Sequence, residues 1–296
     1  MGVCLVLVLL PFAVGCAASD FCGLMRVVRG AGGGGTVAIG ANEEGIRGLV
    51  ASKSAKIGDV LLEVPLAVCL ADSGESTADN LAGAAPSWSA SLPWNVQIAW
   101  NVITRRGDPA WDPFISSWPE APALPKDCEL VELSLAADRA LELQADEACF
   151  WLDEQYWALR SVAIENGVED AAGMTADQFN QAMTFVWSRC LKLSAGNYGV
   201  RRLLVPLLDM ANHEAKPSAL YAFAPGASGG PAIRLHAARP LAAGDPVSKK
   251  ESLCLCTLLL ELTQLEFTTG DHHVRSAHIR ALCAVLWLRP PNQSIR

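Results

Sequence analysis

Runs of positive charge, paired CxxC cysteines and a long apolar segment are all missing from this chain of 296 residues. Lys and Arg never run beyond two in succession, and the net charge is −8. That excludes a nucleic-acid binder held by phosphate contacts. Ten cysteines are scattered along the chain with no CxxC pair, so no compact disulfide framework is expected and the thiols read as reduced and mostly buried. One group carries zinc-binding residue types: Cys254 and Cys256 with His272 and His273. Cys-x-Cys followed by adjacent histidines departs from the regular ligand spacings, so no metal is assigned. Tyrosine is scarce as well. There are three, and none follows Tyr221, so the stretch from Ala222 to Arg296 can supply no phenol.

The apolar stretch Val3 to Val14 is too short to span a bilayer, and no stable membrane span is expected. The small residues Gly15, Ala17, Ala18 and Ser19 follow it. Residues 1–22 therefore read as a cleaved signal or targeting segment, although no positive charge precedes the apolar run. Ala17-Ala18-Ser19-Asp20-Phe21 is similar to the junction of bipartite plastid presequences. A plastid or secretory route follows from that reading, with a cytoplasmic chain as the alternative. A mis-set start codon or a buried amino-terminal strand would explain the same residues.

What remains is a composition of 51% hydrophobic and 18% charged residues, which is that of a globular protein with one large domain or two small ones. Gly30, Gly32 and Gly35 fit the spacing of a dinucleotide loop. That loop must open a helix, and the β-prone Thr36-Val37-Ala38-Ile39 follows instead, so the dinucleotide reading fails. Gly48 to Ala51 and Asp59 to Val64 read as strands, joined by a turn at Lys56-Ile57-Gly58-Asp59. After about residue 90 the pattern becomes helical. Pro93 suits a first helical position, with Val96, Ala99, Trp100 and Ile103 on one face. Further helices are expected over Asp153 to Asn166 and from Thr175, in capping-box spacing with Gln178, to Arg189. Strand character returns at Leu203 to Leu208, Ala219 to Phe223 and Ala232 to Leu235. Strands, a helical insert and strands again make an α+β chain with a split β unit.

Four segments then resemble one family in the right order. They are Glu44 to Ala51 with Gly58 to Leu66, Trp111-Asp112-Pro113-Phe114 with Trp118-Pro119-Glu120, Trp187-Ser188-Arg189, and Val205 to His213. They are similar to the opening "RGLVA … GdvLLevP", the "fWkPYl…LPe" stretch, the Ser-Arg motif and the "vPllDm.NH" signature of SET-domain protein methyltransferases, in the Rubisco large-subunit methyltransferase-like branch. The resemblance covers residues 36–247. It implies a SET-type β fold whose β-rich halves, 36–85 and 191–247, are split by a helical insert at 86–190. It also implies S-adenosylmethionine as cofactor, held by Glu44, Gly45, Ile46, Arg189, Asp209, Asn212 and His213. Arg189 would partner the cofactor carboxylate, and Tyr221 would line the channel for the target side chain. The substrate would be a protein, methylated on lysine, with histidine as the other acceptor in this branch.

The residues alone allow plainer roles. Gly45 and Gly48 suit an ordinary turn, Arg189 suits the carbonyl end of a helix, and Tyr221 is a strand aromatic. A histidine such as His213 at a core edge is more often a structural hydrogen-bonder than a ligand. The family closes this region with "aGeev.isYg", whose tyrosine lies at the methyl-transfer point. This chain follows it from Ala243 to Val247 and then reads Ser248-Lys249-Lys250-Glu251-Ser252. No catalytic residue is assigned, residues 248–296 read as a divergent tail, and the carboxy-terminal part of the fold is expected to be incomplete or divergent. A skipped exon, a frame error or a degenerate paralogue would account for this. The last of these would make the chain a SET-like binding protein without turnover.

Overall fold

The computed structural model describes residues 18–41, 47–73, 83–118, 139–194 and 200–250. Glu44, Gly45 and Ile46, the Cys254–His273 group, and the divergent tail beyond Lys250 lie outside these. The first element is a helix, α1 (Ala18–Gly30). It buries Leu24, Met25 and Val28, spaced to share one helix face; the apolar stretch Val3 to Val14 lies outside the described residues. The glycines after it bring the chain against a neighbouring strand. A Cβ on Gly33 would lie 2.5 Å from the Glu63 carbonyl oxygen. Here glycine serves close backbone packing.

Three sheets follow. The first has the order β1 (Gly34–Gly35), β4 (Val60–Pro65), β10 (Pro231–Ala237), β9 (Ala219–Pro225), with every pair antiparallel. The second runs β2 (Val37–Ala41), β3 (Arg47–Ala51), β11 (Pro246–Lys250), β8 (Asn212–Glu214). Its last pair is parallel. The third is β5 (Leu70–Ala71), β7 (Val200–Leu204), β6 (Leu191–Ser194), again antiparallel. Residues from both ends of the described chain thus share sheets, as a split β unit requires. The turn between β3 and β4 has Gly58 at φ 85° and the Asp59 carboxylate accepting from the Lys56 N–H at 2.8 Å.

The helices between the halves are α2 (Trp94–Thr104), the short α3 (Asp112–Ile115), α4 (Arg139–Glu165) and α5 (Ala176–Arg189). Pro93 caps α2 from outside instead of opening it. This helix is buried nearly all round, from Asn95 to Val102, as expected of a central helix. Its polar groups are used: the Asn101 amide donates to the Ala71 and Gly83 carbonyls at 3.1 and 3.0 Å. On α4, Leu152, Tyr156, Leu159 and Ala163 are buried, the spacing of one inward face. Phe179, Ala182, Met183 and Val186 do the same on α5. Burying each large apolar side chain contributes about 1.5–3 kcal/mol. The capping box at the start of α5 is formed, with Thr175 Oγ1 and the Gln178 side chain each bonding the other's backbone N–H.

Candidate functional site

The site is built where the chain leaves β7. Strand character was expected as far as Leu208, but β7 ends at Leu204 and the backbone turns sharply. Leu207 has φ 66° and ψ −43°, and the Leu208 N–H donates to the Pro206 carbonyl at 2.8 Å. This is a γ-turn of positive φ, a conformation that costs on the order of 1–3 kcal/mol in a residue with a side chain. The fully buried Leu207 side chain holds it in place. A 3-10 turn at Leu208–Met210 then sets Asp209 in the interior.

Arg189, the last residue of α5, meets Asp209 there. Its Nη1 lies 2.7 Å from Asp209 Oδ2, with the Arg side chain 17% exposed and the Asp side chain 0%. A cation suits the carbonyl end of a helix, and Trp187 packs on Trp151 of α4 to fix that end. The pair is incomplete. Among the described residues, Arg189 Nε and Asp209 Oδ1 are both buried without a hydrogen-bond partner. Each such atom costs about 1–3 kcal/mol, so each calls for an explanation.

From Ala211 the chain enters β8, which pairs with β11 so that Asn212 faces Ser248 and His213 faces Lys249. Towards β3, β11 sets Pro246 against Val50 and Val247 against Leu49. This strand therefore joins the opening segment of the sequence to the Asn-His segment. The contact is close: a Cβ on Gly48 would lie 2.5 Å from the Asn212 side-chain nitrogen. Glycine at 48 thus lets the Asn212 side chain lie close against β3, and a larger residue there would make that side chain shift. Ser248 and Ser218 exchange backbone-to-hydroxyl bonds at 2.9 and 2.8 Å, which ties β11 to the start of β9.

Lys249 is the residue that sequence reasoning missed. Only 3% exposed, it donates from Nζ to the Leu208 carbonyl at 3.1 Å, next to Asp209. Burial pulls its ammonium down to about 8, with Asp209 opposing that shift and Arg189 adding to it. A polar run, Ser248-Lys249-Lys250, gave no sign of a strand, yet β11 continues through it. In the register set by Gly244 and Val247, the apolar position of the family pattern falls on Lys249. That mismatch was the available signal.

Of the residues expected in the site, the structure brings together Arg189 and Asp209 directly, and Asn212 and His213 on the adjoining strand. Asn212 is half-buried and His213 exposed. Tyr221 lies in the other sheet, on β9, three residues beyond Ser218; it packs against the core, and burial raises its phenol above the ordinary value. Among the described residues no group of His, Cys, Asp and Glu could hold a metal ion, and no helix is long and apolar enough to cross a membrane.

The architecture is similar to that of solved structures. One is the crystal structure of the SET domain of LSMT bound to lysine and AdoHcy, with a TM-score of 0.63 and 19% identity over 79% of this chain and 54% of that one. The chain has the SET fold. A second is Rubisco LSMT bound to sinefungin and monomethyllysine, with a TM-score of 0.59 and 19% identity over 81% and 53% of the two chains. A third, Rubisco LSMT bound to AdoMet, gives 0.59 and 17% over 81% and 54%. The chain spans about half the length of these SET structures. No family model matches the sequence, and no curated protein does. The SET likeness is thus one of architecture, which the split β unit and the four ordered segments had implied.

Proposed function

We propose that the chain binds S-adenosylmethionine at the junction of β3, β8 and β11 and acts as a protein-lysine N-methyltransferase on a non-histone protein. The observation that carries this is the half-satisfied Arg189–Asp209 pair, whose two unfilled polar atoms are one donor and one acceptor. The amino-acid end of S-adenosylmethionine is a zwitterion, with a carboxylate to suit Arg189 and an ammonium to suit Asp209. Glu44, Gly45 and Ile46 directly precede β3 in the sequence and would hold the nucleoside side. Asn212 and His213 would add contacts, partly through backbone groups. Bound there, the cofactor supplies a methyl group already activated by its sulfonium charge. The protein's part is then alignment and exclusion of water. Tyr221 would line the approach of the target amine, whose proton must be lost before reaction; an apolar, aromatic approach favours that by desolvation. That solved neighbours carry lysine or its monomethyl form supports lysine as the acceptor over histidine.

A second reading is favoured by one observation: the chain has no tyrosine between Ala222 and Arg296, where the family pattern places its catalytic one. In that reading the chain binds the cofactor without turnover. Calorimetric titration with S-adenosylmethionine, paired with transfer of a radiolabelled methyl group to proteins of an undermethylated extract, separates the two. Binding with methyl incorporation supports the methyltransferase. Binding alone supports the scaffold, and no binding sinks both.

A further inference from the structure

Lys249 is buried at the site, and its burial needs a reason. Removing an ammonium from water costs several kcal/mol unless charge or hydrogen bonds compensate. The bond to the Leu208 carbonyl is one compensation, and Asp209 is close enough to stabilise the charge. Asp209 is already engaged by Arg189 at 2.7 Å, however, so two cations share one buried carboxylate. Among the described residues the cluster of Arg189, Lys249 and Asp209 carries a net charge of +1, and Arg189 Nε lacks a partner. A buried excess of positive charge beside an unfilled donor is a place for an anion. The geometry does not suit an inorganic anion alone, because Asp209 Oδ1 is an unfilled acceptor in the same cluster. An anion that carries its own cation a few atoms away fits both, and an α-amino acid moiety does so.

We infer that Lys249 is a positioning residue that, together with Arg189, selects ligands bearing an α-carboxylate. This rests on the proposal that the site takes S-adenosylmethionine, and deepens it: the discrimination would lie at the carboxylate. An apolar residue at this strand position, as in the family pattern, would leave that recognition to Arg189 alone. The route from sequence to role runs through β11. Its pairing with both β3 and β8 fixes the backbone of Lys249, and the γ-turn at Leu207 presents the carbonyl that its Nζ reaches.

The test compares S-adenosylmethionine with its decarboxylated form, which keeps the sulfonium and the ammonium and loses only the carboxylate. Both are titrated calorimetrically into the full chain and into the Lys249→Met and Lys249→Arg variants, with thermal unfolding followed in parallel. Lys249→Met should weaken S-adenosylmethionine binding by about tenfold, the scale of one charge-assisted contact. It should leave the decarboxylated form unchanged or slightly tighter, and Lys249→Arg should retain most of the discrimination. An equal loss for both ligands, or no change for either, would overturn the inference. Should Lys249→Met fail to fold, the decision passes to Lys249→Gln and Lys249→Arg, which keep polarity without and with charge. A wild-type chain that binds neither ligand counts against the methyl-donor site itself. Wild-type binding with no Lys249 effect counts against this inference alone.

Discussion

Glu63 and Asp209 are buried carboxylates that each meet an arginine, as Asp72 does with Arg202 at 3.6 Å, and the first two differ in how completely they are satisfied. Glu63 on β4 gives one oxygen to the Arg234 Nε of β10 and the other to the Ala227 N–H at 2.7 Å. Burial by itself would raise its carboxyl; the Ala227 N–H and Arg234 together outweigh that and hold it below the ordinary value. Asp209 gives one oxygen to Arg189 and keeps the other unpartnered, with a buried lysine as a further neighbour. The first pair ties β4 to β10 and to the turn between β9 and β10, and both of its carboxylate oxygens are engaged. The second has both a donor and an acceptor to spare, on residues held by a strained turn and a helix end. Completeness of hydrogen bonding separates these two pairs; an unpartnered oxygen alone does not mark a ligand site, since Asp72 Oδ1 beside Arg202 is likewise buried without a partner among the described residues.

Substitutions at the two pairs should therefore give opposite results. Asp209→Asn should weaken S-adenosylhomocysteine binding by about 100-fold or more, since a buried charge pair is broken at the ligand. Glu63→Gln should leave that affinity unchanged; calorimetry reads both. Lys249 sharpens the contrast through pH. Its folded ammonium lies at about 8 against an ordinary 10.5, so between those values the unfolded chain holds more protons. Stability should then rise as pH climbs from about 8 towards 10.5, by at most roughly 3 kcal/mol, and stay at its lower level below 8. Denaturant unfolding of Lys249→Met across that range should lack the rise.

Glu63→Gln should cost about 1–3 kcal/mol in stability. The sign with pH is opposite to that of Lys249: a carboxylate held low stabilises above its unfolded value and loses that contribution as pH falls through the folded one. Acid unfolding of the variant should accordingly show a shallower slope than that of the wild type. The smallest effect is expected at the far end of α5. Thr175→Ala removes the capping box and should cost about 1 kcal/mol by thermal unfolding, with no change in ligand affinity. A drop in affinity there would mean that Arg189 depends on the whole helix and not on its local packing.

The same contrast shows why parts of the molecule could be read from sequence and others could not. Helix α5 announced itself through Thr175, Gln178 and a periodic apolar face, all local signals. Strands β3 and β4 were legible because glycines and a proline bound them. The end of β7 was not: Leu203 to Leu208 is an unbroken strand-like run, and only tertiary packing forces Leu207 into a positive φ. Arg189 and Asp209 could each be named from a resembling motif. Their pairing, across twenty residues of sequence, and the two atoms left over are properties of the fold. Lys249 was hidden for the opposite reason, since its charge argued for solvent until its strand was seen between β3 and β8.

The most direct test of the account is titration of S-adenosylmethionine into the full, folded wild-type chain. Saturable binding, about one ligand per chain, that disappears in Asp209→Asn and survives in Glu63→Gln is the expected result. A folded wild-type chain that gives no binding signal would contradict the claim that the unfilled Arg189–Asp209 pair is a methyl-donor site.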